Sequence, residues 1–133
     1  MSYILTMQKL TTKSFDKWKN NENIEDSALI DGIRTLEDGL SIVDLGGGLF
    51  KVRIPRVGQG KSGGFRTIVV YKSNDRAIFI HGFAKSDRDN ISKKELTLFK
   101  EFASSLLSLT SEQINLALNS GALKKITGDD ENA

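Results

Sequence analysis

The apolar positions of the chain follow a helical, then a strand-like, then again a helical rhythm. Tyr3, Ile4, Leu5 and Met7 open it with a short apolar run that predicts a strand. Phe15 and Trp18, three apart, predict a short helix over 14–20. Ala28, Leu29, Ile33 and Leu36 share one helical face over 25–37. Asp38 and Gly39 end that second helix, because glycine accepts the left-handed conformation that follows a helix C-terminus. Two helices joined by a polar loop predict a helical hairpin.

The period falls to two in the middle of the chain. Residues 42–45 are strand-like, and Gly46, Gly47 and Gly48 supply a turn or a bulge. Over 49–54, Leu49, Lys51 and Arg53 fall on one face and Phe50, Val52 and Ile54 on the other. The loop over 55–64 is glycine-rich and carries Arg56 and Lys61. Residues 66–71 are almost continuously apolar, which predicts a central strand. Ser73, Asn74 and Asp75 have turn chemistry, and 77–83 reads as the return strand of a hairpin.

The second helical stretch has well-marked boundaries. Ser92 and Glu95 are spaced as a capping box, with Ile91 and Leu96 placed to staple it. The pattern repeats at Thr110 and Gln113, with Leu109 and Ile114 as the staple. Two helices over about 93–108 and 111–119 follow, with a break at Thr110. Leu96, Phe99, Phe102, Ala103, Leu106 and Leu107 form the apolar stripe of the first, as core or as a docking surface. Gly121 ends the second.

Grouped helices and grouped strands predict the α+β class: an antiparallel sheet of about four strands, packed by an N-terminal helical hairpin, with C-terminal helices. A single domain over residues 1–126 is expected, with 127–133 a disordered tail.

Composition removes several kinds of chemistry. The chain of 133 residues has no Cys, so disulfides and thiolate metal sites are unavailable. One His, His81, argues against a His-based metal site and a Ser–His nucleophile pair, so no metal or cofactor is expected. No apolar run approaches the ~20 residues of a membrane span, and the N-terminus lacks a signal-peptide pattern. A soluble cytoplasmic protein with no membrane partner is the expectation.

Net charge is only +2, but its distribution is uneven. No acidic residue lies between Asp44 and Asp75, a stretch that holds Lys51, Arg53, Arg56, Lys61, Arg66 and Lys72. One basic face, the footprint of a polyanion partner, follows from that asymmetry. Arg56, Lys61 and Lys72 are the positions expected to contact that polyanion.

The stretch 49–53, the Gly60-Lys61-Ser62-Gly63-Gly64-Phe65-Arg66 run, the strand that follows it and the segment 82–91 together resemble RelE/HigB-type toxins of type II toxin–antitoxin modules. The motif similarity spans roughly 40–92, and the order of elements matches over the whole chain. The resemblance implies a sheet packed by a helical hairpin. It implies cleavage of messenger RNA on the ribosome, translation inhibition, and neutralisation by a cognate antitoxin, often of helix-turn-helix type. Position by position, Lys51 and Arg53 match the basic pair before the loop, Arg66 the arginine that opens the next strand, and Lys85 the lysine after the last strand. Two positions depart: Ser86 stands where some relatives carry Arg, with Arg88 two further on, and Ser92 where some carry Tyr. Gyrase-poisoning toxins share the resemblance, so that activity, or non-catalytic nucleic-acid binding, is the alternative.

Metal-free RNA cleavage needs a group to take the 2′-OH proton, cations on the phosphoryl oxygens, and help for the departing 5′-oxygen. Lys51, crowded by Arg53 and Arg66, is the candidate base, since neighbouring cations disfavour the ammonium. Arg66 is the candidate phosphate fork, and Lys85 or Arg88 the candidate stabiliser of the leaving group. The loop over 56–64 is not a nucleotide-binding P-loop, because a strand follows it instead of a helix. Strand parity puts His81 on a face with Phe79 and Phe83, as a packed residue. If RNA is cut, Arg88 or His81 fills the gap that Ser86 and Ser92 leave.

Overall fold

The computed structural model describes residues 7–55, 64–88 and 90–128. The chain runs β1 (Gln8–Thr12), α1 (Lys13–Asn21), α2 (Asp26–Asp38), β2 (Ile42–Gly46), β3 (Leu49–Ile54), β4 (Phe65–Lys72), β5 (Arg76–Ala84), α3 (Lys93–Leu107), α4 (Ser111–Ser120) and β6 (Leu123–Lys125). The α+β class is as expected, but among the described residues the sheet has six strands in the order β2-β3-β4-β5-β1-β6. Strands β2 to β5 are the antiparallel meander that the alternation predicts. β1 adds to β5 in parallel, and β6 adds antiparallel to β1.

The two missed strands have physical reasons. β1 reads Gln-Lys-Leu-Thr-Thr, with Leu10 alone to report an apolar face, and β6 is too short to show a period. Their partners make them strands. The predicted strand over 3–7 falls mostly outside the described residues; Met7 is buried and precedes β1. Thr127 donates through its backbone N–H and its hydroxyl to Asp26 Oδ2, which anchors the first residue of the expected tail. Residues 129–133 lie outside the described residues. Burial works against the charge on Asp26, but Lys19, 2.8 Å away, and Thr127 hold its carboxyl below the usual range.

Both faces of the sheet are covered. The helical hairpin buries Phe15, Leu29, Ile33 and Leu36 against Val52, Phe65, Val69 and Phe79. Helices α3 and α4 bury Ala103, Leu106 and Ile114 against Leu10, Leu49, Ile68, Val70, Ile78 and Ile80. Both capping boxes form as their spacing predicts, and Gly39 and Gly121 take the left-handed cap. Trp18 packs edge-on against Phe65, centroids 5.5 Å apart, and lies directly over Gly82, where a Cβ would collide with the indole. Arg76 is buried, with its Nη1 donating to Leu106 O and its Nε to Asp75 Oδ1, so it ties the end of α3 to the start of β5.

Candidate nucleic-acid interface

Strand register builds a two-by-three array on the α3-facing side of the sheet. Lys51, Ile68 and His81 make one row across β3, β4 and β5; Arg53, Arg66 and Phe83 make the next. Neighbouring strands lie about 4.8 Å apart and rows on one face about 6.6 Å apart, so these side chains share a patch roughly 10 Å wide. Its lower neighbours Leu49, Val70, Ile78 and Ile80 are buried under α3 and α4. The same face is therefore apolar where the helices cover it and basic where they do not.

The position of His81 depends on a break in the pleat. Ile68 pairs with His81 but Val69 pairs with Phe79, so Ile80 is an extra residue on β5. Such a bulge turns alternation out of phase. Ile78 and Ile80 pack with α3, Phe79 packs with the hairpin, and the His81 ring then lies 4.9 Å from Phe99 of α3 and 6.2 Å from Phe83. The sequence parity that joined His81 to Phe79 holds for Phe83 only.

Arg53 and Arg66 are directly opposed in the β3–β4 register. Two like charges so placed repel. Arg53 Nε and Arg66 Nη1 are moreover buried with no hydrogen-bond acceptor among the described residues. A buried N–H without an acceptor costs about 1–3 kcal/mol. Two adjacent guanidinium groups with spare donors have the chemistry of an anion site, since the fork geometry suits phosphate oxygens. The Gly64 backbone packs against Arg53, and a Cβ at Gly64 would stand 3.2 Å from Arg53 Nε.

Arg88 follows β5 in the chain and is fixed by three groups. Its Nη2 donates to Glu95 Oε2 at 2.8 Å, lies 3.5 Å from His81 Nε2, and its guanidinium carbon stands 4.9 Å from the Phe83 ring centre. At 3.5 Å the Arg88–His81 approach is a charge contact at the limit of hydrogen bonding, and the ring tautomer decides whether Nε2 accepts. Burial lowers the His81 pKa below its usual 6.5; the Glu95 carboxylate opposes that shift and Arg88 adds to it. The ring is neutral at pH 7. The Arg88 bond and the Ser92 backbone N–H hold Glu95 down at about 2.

The remaining expected site residues are placed as follows. Lys51 belongs to the array, with its Nζ 3.4 Å from Asn90 Oδ1. Lys85 is exposed in the turn after β5, its backbone N–H on Gly64 O; no side-chain hydrogen bond or ion pair among the described residues fixes it. Lys72 ends β4 beside Asp75, six residues and so about 20 Å from Arg66. Arg56 and Lys61 lie outside the described residues. Asn90 and Glu95 had no functional signal in the sequence; Glu95 reads fully as a helix cap, and Phe99 as part of the apolar stripe of α3. A separate groove of about 920 Å³, lined in part by Lys13, Lys17, Phe102, Leu106, Leu109 and Leu123, shares no lining residue with the array. Leu98 and Phe102 of α3 stay exposed at 56% and 43%.

The family model described as the RelE toxin of the RelE/RelB toxin–antitoxin system matches residues 7–126. The chain belongs to the RelE toxin family. A comparison with curated proteins returns no match. As a RelE-type toxin, the chain is one half of a toxin–antitoxin pair, and an antitoxin is its partner. Among the described residues no helix is long and apolar enough to cross a membrane, and no group of three His, Cys, Asp or Glu is placed to hold a metal.

Proposed function

We propose that this RelE-type toxin inhibits translation by cutting messenger RNA on the ribosome, without a metal. The opposed pair Arg53 and Arg66, each with a buried N–H to spare, carries the reading. The pair takes the scissile phosphate and stabilises charge as it builds on the phosphoryl oxygens. The 2′-oxygen attacks phosphorus, the 2′-O–P bond forms and the P–O5′ bond breaks, leaving a 2′,3′-cyclic phosphate and a 5′-OH. Lys51 and His81 flank this pair at the two ends of the neighbouring row. His81, neutral at pH 7, takes the 2′-OH proton; Lys51 gives one to the departing 5′-oxygen. Lys51 thereby exchanges the role of base, expected from the sequence, for that of acid. Arg88 adds a fixed positive charge next to the ring, and Lys85 a loosely held one.

Primer extension on transcripts after induction tests this. Wild type is expected to produce new 5′ ends within coding sequence, and Arg66→Ala to produce none. Growth arrest with intact transcripts would overturn it; a DNA-damage response under the same conditions would point to gyrase. The antitoxin is proposed to be a helix-turn-helix protein, and co-expression of the adjacent small gene is expected to restore growth.

A further inference from the structure

Glu95 is held by both of its carboxylate oxygens, in two different structures. Oε1 accepts the Ser92 backbone N–H at 2.8 Å and closes the capping box of α3. Oε2 accepts from Arg88 Nη2 at 2.8 Å. The second contact is not needed for the cap: at the start of α4, Thr110 and the neutral Gln113 form the same box with the same two bonds. The charge at position 95 is thus surplus to the cap, and its partner is Arg88.

Arg88 needs such a partner. It packs on His81 and Phe83, the β5 members of the rows that hold Lys51, Arg53 and Arg66, and those two contacts are weak by comparison. Like charges on that face disfavour a guanidinium at the His81 ring, and an anion beside it offsets this. Among the described residues, Glu95 is the acidic side chain that does so.

We propose that Glu95 is a positioning residue, which sets the Arg88 guanidinium against His81 from the first turn of α3 and so assembles this edge of the RNA site when α3 is capped. The proposal rests on the cleavage reading for its consequence but not for its geometry. Arg88 and Glu95 face the His81 ring from the segment after β5 and from α3; Lys51 faces it across Ile68, with Arg53 and Arg66 beyond.

E95Q separates the two contacts, because glutamine keeps the box and removes the charge. His81 is the single His, so its ring resonances titrate alone by NMR. R88A is expected to raise the His81 midpoint in the wild-type background. In the E95Q background the same substitution is expected to produce less than half that rise, because Arg88 is no longer held at the ring. An equal rise in both backgrounds overturns the proposal. Amide dispersion reports whether each variant folds; should R88A unfold, R88Q, which also removes the charge, reads the same coupling in the same cycle. In the cleavage assay E95Q is expected to lose about tenfold to a hundredfold, with R88A/E95Q no slower than R88A alone. Additive losses would also overturn it. A wild type that leaves RNA intact would sink the cleavage reading, and the ring titration would still decide the positioning.

Discussion

Arg88 Nη2 and His81 Nε2 lie 3.5 Å apart, a cation against a half-buried imidazole. That contact and the burial of the ring both favour the neutral form, and only Glu95 opposes them. An imidazole that stays neutral as the pH drops is suited to accept a proton.

His81 is therefore expected to titrate below 6.5 by NMR, and the acid limb of the cleavage rate to follow it. The sign is that of a lowered pKa. An unfolded chain takes up the proton near 6.5 and the folded one only further down, so His81 contributes stability above 6.5 that is lost as the pH falls toward the folded value. A ring midpoint above 6.5 would mean that burial and Arg88 do not set the charge of His81.

Opposed arginines predict a conflict between stability and function. Arg66→Met removes a like charge from opposite Arg53 and a buried donor without an acceptor. Thermal stability is expected to be unchanged or raised by up to about 1 kcal/mol, while RNA affinity falls together with its salt slope. A clear loss of stability would mean that the pair is structural.

Gly82 is required by Trp18, whose ring occupies the space of a Cβ. Gly82→Ala is expected to cost about 1–3 kcal/mol in denaturant melts, the usual result of overpacking. Trp18→Leu in the same background is expected to recover part of it. No recovery would place the strain elsewhere.

The carboxyl of Glu95 titrates near 4.5 when free and at about 2 in the fold. Its contribution to stability is present above 4.5 and is lost as the pH falls through about 2. The difference in melting temperature between wild type and E95Q is expected to shrink over that window, as circular dichroism would show. A constant difference would mean that the Arg88 bond is not what stabilises the charge.

Much of the architecture is legible in one dimension, because it rests on local rules. The four-strand meander follows from alternation over 49–54, the apolar runs over 66–71 and 77–83, and the glycine and turn residues between the strands of 42–83. The two C-terminal helices follow from capping boxes and staples whose members lie within five positions of one another. β1 and β6 follow no such rule, since Gln8–Thr12 and Leu123–Lys125 have too few apolar positions to declare a face. Lys51 and Arg53 are legible as a pair because period two puts them on one face of a strand; Arg66 joins them in sequence only as a nearby cation, and the β3–β4 register sets it opposite Arg53. What only the tertiary structure decides is which side chains meet across that face. One unpaired residue at Ile80 reverses parity and brings His81 under α3. The same fold sets a helix-capping carboxylate, Glu95, against Arg88, at positions 44 and 37 residues beyond Lys51 in mid-sheet. Sequence spacing cannot report a contact made by a bulge and a docked helix, because neither leaves a periodic trace.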